Sequence, residues 1–247
     1  MFFPRTRVLS VKVCTLSKEN IKKELSDRLF DGHGFSVFTP NTQMLLASKK
    51  ERSLRTLLNS SSINIPDGIG IRIAARLKGN IRLAKTSGID LAEELLPIAE
   101  KLGTRIFLLG GKDGVARIAK KNLVRRFPAL NICGTHHGYF DEKSEKKVIN
   151  LINSSRAELL FVCMGFPRQE RWIIENLPSL PCVKVAMGLG GTLDVWAKKT
   201  RRAPKIMQNA GLEWLWRVIL EPSRAKIFLD VPKFFFALAG ERKKQIY

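Results

Sequence analysis

The sequence is poor in acidic residues, in cysteine and histidine, and in long apolar runs. Its 247 residues carry 22 Asp+Glu against 43 Lys+Arg, which gives a formal net charge of +21 at pH 7. This balance excludes an acidic disordered chain, and a hydrophobic content of 45% is too high for a basic tail. The excess of cations favours an anionic partner. Nucleic acid, an anionic membrane surface and a phosphorylated substrate all satisfy that description.

The few cysteines and histidines lack the spacing of a metal site. No Cys-x-x-Cys occurs, and the three histidines form no cluster with Cys or Asp, so we expect free thiols in a reducing compartment and no metal site. The first residues contain no apolar stretch long enough for a signal peptide. No segment approaches the roughly 20 apolar residues of a transmembrane helix. We therefore expect a cytoplasmic protein.

Short apolar runs alternate with amphipathic stretches along most of the chain. Strands are predicted at 35–38, 63–65, 105–109, 130–133, 159–163 and 183–186, and helices at 17–30, 41–58, 90–102, 115–127, 144–154 and 168–176. Runs that are apolar on both faces and alternate with helices indicate a buried, mainly parallel sheet. The sequence therefore predicts an α/β fold with helices on both faces of the sheet.

The composition changes after Trp196. Residues 198–247 contain twelve Lys+Arg and four Asp+Glu, in a segment that is also rich in Trp, Phe, Leu and Ile. We predict an α/β core at residues 1–196 and a basic, aromatic-rich helical appendage at residues 197–247, kinked at Pro222 and Pro232. Apolar and basic residues together suit an anionic membrane surface, so we expect this appendage to associate with one.

Several predicted strands end in glycine-bearing loops that lead into helices, at residues 66–70, 110–114, 164–167 and 188–192. In a parallel sheet, ligands bind beyond the carboxyl ends of the strands, and glycine there lets backbone N–H groups approach a phosphate. The four loops favour a nucleotide or phosphate ligand, although none matches a dinucleotide fingerprint or a Walker A loop. Asp67 lies in the first loop, and its spacing alone favours a helix cap over a general base.

No Asp-x-Asp pair occurs in the chain. Enzymes that hold a nucleotide diphosphate through a divalent metal commonly use such paired carboxylates. If the ligand is a nucleotide diphosphate, arginines must therefore neutralise its charge. We predict no cofactor. The candidates are Arg201, Arg202, Arg217 and Arg224. Each of them is interpreted equally well as part of a basic surface that faces solvent or a membrane.

One ordered set of short motifs, running from about Val37 to Arg224, resembles a known family. The motifs are Thr39-Pro40-Asn41, Pro66-Asp67-Gly68, Ser87-Gly88-Ile89-Asp90-Leu91, Phe107-Leu108-Leu109-Gly110-Gly111, Gly138-Tyr139-Phe140, Gly165-Phe166-Pro167-Arg168-Gln169-Glu170, Gly188-Leu189-Gly190-Gly191-Thr192-Leu193-Asp194, Arg202-Ala203-Pro204, Gly211-Leu212-Glu213-Trp214-Leu215-Trp216-Arg217 and Glu221-Pro222-Ser223-Arg224. In this order and spacing the sequence resembles the WecG/TagA/CpsF glycosyltransferases.

The resemblance implies a Rossmann-like, inverting and metal-independent transferase. It would move an N-acetylmannosamine-type or related sugar from a UDP donor to a polyprenyl-diphosphate-linked sugar, in bacterial surface polysaccharide synthesis at the inner face of the cell membrane. It implies that Asp67 and Thr39 are catalytic, with Asp67 as the base, and that Thr39 and Asn41 orient the sugar or the base. The donor or diphosphate would be contacted by Asn41, Gly68, Gly110, Gly165, Gln169, Glu170, Gly188, Gly190, Gly191, Asp194, Arg202, Arg217 and Arg224.

Two departures from the family pattern and two alternative functions remain. Family members often carry glycine where this chain has Lys198, and arginine where the nearest cations are Lys85 and Arg82. One alternative is a non-specific nucleic-acid-binding α/β protein, although three contiguous phenylalanines at 234–236 fit base stacking poorly. The other is a different nucleotide-sugar enzyme, for which a dinucleotide fingerprint is missing. We expect no nucleic-acid partner, and the sequence leaves the oligomeric state open.

Overall fold

A computed structural model describes residues 3–222, 225 and 227–243, leaving aside the side chains of residues 227, 242 and 243. A short 3₁₀ turn (Leu177–Ser179) follows the eighth helix. The other elements are β1 (Arg5–Val8), β2 (Val11–Cys14), α1 (Lys18–Asp31), β3 (Phe35–Phe38), α2 (Thr42–Lys50), α3 (Arg52–Asn59), β4 (Ile63–Asn64), α4 (Ile69–Gly79), α5 (Gly88–Leu102), β5 (Ile106–Gly110), α6 (Val115–Arg126), β6 (Ile132–His136), α7 (Glu142–Ser154), β7 (Leu159–Cys163), α8 (Arg168–Asn176), β8 (Val185–Gly188), α9 (Thr192–Trp196), α10 (Lys205–Ala210), α11 (Glu213–Leu220) and α12 (Ile227–Lys243).

The chain divides into two compact units. The first unit comprises the described residues of 1–18, 39–87 and 202–247, and the second comprises 19–38 and 88–201. The segments of each unit are separated in sequence, because the chain enters each unit more than once. The domain boundary predicted between residues 196 and 197 stays a prediction.

The second unit contains parallel strands in the order β3-β8-β7-β5-β6. Every residue of β3, β5, β7 and β8 is buried. Since successive side chains of a strand point to opposite faces, full burial means that both faces of this sheet are covered. The α/β fold predicted from the sequence, with its mainly parallel sheet, is confirmed.

The first unit begins with a β-hairpin that the sequence patterns did not predict. β1 pairs antiparallel with β2, from Arg5 opposite Cys14 to Val8 opposite Val11. The two turn residues, Leu9 and Ser10, both have positive φ, as a type I′ turn between twisted strands requires. Neither is the glycine or asparagine that usually marks such a turn, so the sequence carried no hairpin signal.

One long helix predicted at residues 41–58 is instead two helices, α2 and α3. Glu51, between them, has extended backbone, and its N–H donates to the carbonyl of Ala47 as α2 ends. Amphipathic periodicity continues on both sides of Glu51, with Leu45 and Leu58 fully buried, so the apolar pattern alone did not reveal the break.

The C-terminal helix α12 packs on α2 and α4 within the first unit. Phe234 and Leu238, one turn apart, are buried. At the end of the helix, the half-buried Lys78 Nζ lies 2.8 Å from a carboxylate oxygen of Glu241. Pro232 lies inside α12, and Pro222 follows the end of α11. None of the helices in the described part of the chain is both long and apolar enough to cross a membrane.

Candidate functional site

The second unit places several predicted site residues at the carboxyl ends of its strands. Gly110 is the last residue of β5 and pairs with Cys163, the last residue of β7, while Gly188 ends β8. A Cβ atom on Gly110 would lie 2.2 Å from the carbonyl oxygen of Cys163, and the φ of Gly110 is +137°. Only glycine allows this close approach of the two strand ends.

The side chain of Gln169 joins the loops that follow β7 and β8. Its Oε1 accepts hydrogen bonds from the backbone N–H of Gly165, at 3.2 Å, and of Gly190, at 2.9 Å. Gln169 is 4% exposed, so these bonds are shielded from water. One buried amide therefore fixes the distance between the two glycine loops.

Glu170, the next residue, is fully buried at 0% exposure. Its Oε1 accepts a hydrogen bond from Gln169 Nε2 at 2.8 Å, and its Oε2 has no hydrogen-bond partner among the described residues. Burial raises the pKa of the Glu170 carboxyl to about 7, because the charged form is poorly solvated there. A Cβ atom on Gly188 would lie 3.1 Å from Gln169 Nε2, so the β8 end packs directly against this pair.

The two loops joined by Gln169 are open on their outer side. A Cβ atom on Gly165 or Gly190 would meet no other atom within 4 Å. The half-buried Asp194 lies on α9, which begins directly after Gly191. The site residues predicted in this unit are therefore together at one edge of the sheet, in an arrangement where backbone groups can approach a ligand.

Two cavities lie beyond the ends of β5 and β6, beside residues that were not among the predicted site residues. One, of about 340 Å³, is lined by Lys112, Asp113, His137 and Tyr139. The other, of about 490 Å³, is lined by His136, His137, Tyr139, Phe140, Asp141, Ser144 and Lys147.

Tyr139 lines both cavities and is 67% exposed, and its backbone N–H donates to His137 Nδ1 at 3.2 Å. An exposed aromatic ring beside a cavity can stack on a planar ring such as a nucleobase. The motif Gly138-Tyr139-Phe140 was the available sequence signal, but a single tyrosine does not reveal an exposed ring.

The first unit brings together the loops that carry Thr39 and Asp67. The backbone N–H of Asp67 donates to the carbonyl of Pro40 at 2.9 Å. Thr39 and Asp67 are both half-buried. Gly68, rather than Asp67, occupies the N-cap position of α4, so the structure does not use Asp67 as that cap residue.

Asn41 is the N-cap of α2. Its Oδ1 accepts the backbone N–H of Met44 at 3.1 Å, which satisfies one of the unpaired donors at the start of the helix. The Asn41 side chain therefore fixes where α2 begins, directly after the Thr39-Pro40 segment. A role in orienting a sugar stays a prediction.

The predicted cations are distributed along the C-terminal part of the first unit. Arg202 is half-buried, and its Nη2 lies 3.4 Å from Ser87 Oγ. Lys85, near the position where the family often has arginine, donates from Nζ to the carbonyl of Asn209 at 3.0 Å. Arg201 is exposed, and so is Arg217 on α11. Arg224 lies outside the described residues.

Within residues 3–222, 225 and 227–243, no group of three or more His, Cys, Asp or Glu side chains is placed to hold a metal ion. Cys163 is buried, and burial raises the pKa of its thiol to about 12, so it stays protonated near neutral pH.

Comparison with known proteins identifies relatives over almost the whole chain. Residues 6–246 match the glycosyl transferase WecG/TagA/CpsF family. The chain is 34% identical over 212 residues to the N-acetylglucosaminyldiphosphoundecaprenol N-acetyl-beta-D-mannosaminyltransferase of Bacillus subtilis (strain 168), which covers 86% of this chain and 82% of that protein. It is 31% identical over 227 residues to the protein of the same name from Staphylococcus aureus (strain MRSA252), with 92% and 87% covered.

Proposed function

The chain belongs to the glycosyl transferase WecG/TagA/CpsF family, and we propose that it transfers an N-acetylmannosaminyl residue from a UDP donor to polyprenyl-diphosphate-linked N-acetylglucosamine. The resemblance inferred from the sequence is thereby confirmed, and the chain is a glycosyltransferase. One observation carries the proposed substrates: two relatives with the same name align over more than four-fifths of their own length. A linkage-unit role in teichoic acid or a related surface polymer follows from the same acceptor.

In the proposed reaction, an acceptor hydroxyl attacks the anomeric carbon of the donor sugar. Asp67 takes the hydroxyl proton as the new C–O bond forms. The bond to UDP breaks, and its electron pair stays on the β-phosphate oxygen. Asp67 is half-buried in the loop between β4 and α4, with its backbone N–H bonded to Pro40, which supports this role, since a base must be held in place and still reach a substrate.

We propose that the reaction inverts the configuration at the anomeric carbon, on the basis of the names of the two relatives. Their product is a β-D-mannosaminyl linkage. If the UDP donor is α-linked, formation of a β-linkage requires inversion, which a single displacement with one base provides. We propose that Thr39 and Asn41 orient the sugar or the base in that displacement.

We assign the nucleotide to the glycine loops of the second unit. The open outer sides of Gly165 and Gly190 support this assignment, because the diphosphate can come close to the loop backbone there, while the N–H groups of these two glycines stay bonded to Gln169. Asp194 is a candidate for the ribose hydroxyls, and the exposed ring of Tyr139 is a candidate for stacking on uracil.

We propose that arginines, rather than a metal ion, stabilise the charge that develops on the departing diphosphate. Arg202, Arg217 and Arg224 are the candidates from the sequence. A guanidinium can donate two parallel hydrogen bonds to a phosphate, which supports the choice of arginine. Lys85 and Arg82 are the nearest cations to the position of a common family arginine, and if Lys85 takes that place it supplies charge without the paired geometry.

We propose that the enzyme works at the cytoplasmic face of an anionic membrane. Several large apolar side chains of the first unit are exposed, and together we call them the apolar C-terminal surface: Ile206, Ile219, Phe228, Leu229 and Phe236. Basic residues accompany them in α10, α11 and α12. This combination supports interfacial binding near a lipid-linked acceptor.

The experiment is a transfer assay with purified protein, UDP-N-acetylmannosamine and a short-chain prenyl-diphosphate N-acetylglucosamine. We expect UDP release, a product one N-acetylhexosamine heavier, a β-linkage by NMR and undiminished rates in EDTA. UDP-N-acetylglucosamine serves as the donor control. No transfer with either donor, together with salt-sensitive retention of nucleic acid, would favour the binding-protein alternative, and a bound nicotinamide would favour another nucleotide-sugar enzyme.

A further inference from the structure

The first turn of α8 contacts the loops that follow three neighbouring strands. Arg168 Nη2 donates to the carbonyl of Phe140 at 2.8 Å, in the loop after β6, and its guanidinium lies 5.2 Å from the centre of the Phe140 ring. Gln169 binds the loops after β7 and β8. Consecutive residues of one helical turn therefore fix three of the loops at the ligand-binding edge of this sheet.

The orientation of the Gln169 amide is decisive for this arrangement. The oxygen and nitrogen ends of an amide have nearly the same shape, and a flipped amide would turn its NH₂ toward two backbone N–H groups. Glu170 Oε1, at 2.8 Å from Gln169 Nε2, stabilises the orientation in which the oxygen faces both loops.

Glu170 acts at a cost to the stability of the folded protein. It is fully buried, and one of its two oxygens has no partner among the described residues. Burying an incompletely bonded carboxyl is unfavourable, and an apolar side chain of similar size would avoid this penalty. Packing alone therefore does not account for a glutamate here.

We propose that Glu170 is a positioning residue for donor binding: by accepting the Gln169 amide N–H, it keeps Gln169 Oε1 on the Gly165 and Gly190 amides and so holds both loops in the shape that receives the nucleotide. Because Glu170 is fully buried, it acts through Gln169 and not on the substrate. This inference rests on the proposed function, which supplies the nucleotide as ligand.

The test compares Glu170→Leu with Glu170→Gln, in which a side-chain oxygen can still accept from Gln169. Loss of one oriented hydrogen bond in a buried network should raise the KM for the UDP-sugar about tenfold in Glu170→Leu and leave the acceptor KM within about twofold of wild type. Glu170→Gln should stay within about twofold for both. Glu175→Leu, at an exposed acid of the same helix, is the matched control.

Amide hydrogen exchange of the free protein supplies a readout that needs no substrate. Exchange in residues 164–167 and 188–191 should accelerate in Glu170→Leu and not in Glu170→Gln. The proposal would be overturned if Glu170→Leu kept the donor KM and the exchange rates of the wild type. It would also be overturned if Glu170→Leu and Glu170→Gln lost donor affinity equally, since side-chain shape would then explain the effect.

A variant that does not fold and a protein that transfers no sugar are both distinguished from a failure of the role proposed for Glu170. If Glu170→Leu does not fold, Glu170→Asp replaces it, because the shorter acid keeps the charge and withdraws from Gln169; unchanged exchange in that variant would contradict the role of Glu170. If wild-type protein transfers no sugar, the proposed function fails, while the exchange measurement still decides whether Glu170 holds the loops.

Discussion

The two units carry their candidate chemistry in different ways. In the second unit, the glycine loops are fixed from inside by buried side chains, with Gln169 bonded to two backbone amides and to Glu170. In the first unit, Asp67 and Arg202 are half-buried, and Arg217 is exposed. Under the proposed function, this difference corresponds to a division of labour: the second unit holds the nucleotide in preformed loops, and the first unit supplies the base, the cations and the membrane-binding surface.

The sharpest test of this division is Asp67→Asn in the first unit. We expect kcat to fall about a thousandfold, because an amide cannot accept the acceptor's proton. Donor binding should persist, since we assign the nucleotide to the second unit. Steady-state transfer assays and calorimetric titration with UDP check both expectations, with Asp31→Asn, at an exposed acid, as the control. Turnover close to wild type in folded Asp67→Asn would refute the base assignment.

The rigidity of the second unit is tested next, by Gly110→Ala. The new Cβ would overlap the carbonyl of Cys163 and occupy a φ that alanine rarely adopts, so we expect a loss of about 3 kcal/mol in the free energy of unfolding.

Gly190→Ala is the matched comparison, since a Cβ there meets nothing within 4 Å. The φ of Gly190 is +56°, so backbone strain alone should cost about 1 kcal/mol, while the methyl group on the outer side of the loop should weaken UDP binding. Denaturant unfolding of both variants measures the contrast. Equal losses would show that the strand ends are not closely constrained.

The buried carboxyl of the second unit should give stability a pH dependence. The pKa of Glu170 is raised to about 7 in the folded protein, so the folded state holds its proton more tightly than the unfolded state. The stability that this group contributes is complete below its unfolded pKa and is lost as pH rises toward and through about 7.

Glu170→Gln removes this ionisation. The difference in free energy of unfolding between Glu170→Gln and wild type should therefore shift in favour of the variant by about 2 kcal/mol as the pH rises from about 5 to about 8. Urea titrations at several pH values provide the measurement, and Glu175→Gln should leave the wild-type pH dependence in place. A difference that does not change with pH would mean that Glu170 does not titrate in this range.

The role of the apolar C-terminal surface is tested by replacing both Leu229 and Phe236 with serine. These side chains are 60% and 78% exposed, so folding should be unaffected. Binding to vesicles of phosphatidylglycerol and phosphatidylcholine should weaken about tenfold, because apolar area no longer enters the interface. Leu151→Ser, at a 44% exposed leucine of the second unit, is the control, and an equal loss there would remove the distinction between the units.

The parts of the structure that the sequence predicted well are those determined by burial of apolar residues. Fully apolar runs such as β5 and β7 determine strands by burial alone, so the parallel sheet was evident from the sequence. The break at Glu51 and the hairpin turn at Leu9 depend on backbone conformations that carry no apolar signal. Gln169 was named as a site residue, but its bonds to two loops depend on tertiary placement that spacing does not encode.

The smallest effect is expected at Lys198, one of the two departures from the family pattern. Helix α9 ends in a Schellman motif: the N–H of Lys199 donates to the carbonyl of Asp194, and that of Lys198 to Val195. Lys198 occupies the position of this motif that favours glycine, and its φ is +59°. The glycine common in the family is therefore explained by backbone conformation and does not require a ligand contact.

Lys198→Gly should raise the free energy of unfolding by about 0.5 kcal/mol, since relief of left-handed strain exceeds the added entropy of the unfolded chain only slightly. For a chain of this size that corresponds to a rise in Tm of about 1 °C, and calorimetry can resolve it. Lys199→Gly removes the same charge at the next exposed position and should not stabilise. If both variants weaken UDP binding, charge near α9 assists the ligand; if only Lys198→Gly changes Tm and neither changes binding, Lys198 belongs to the scaffold of the second unit.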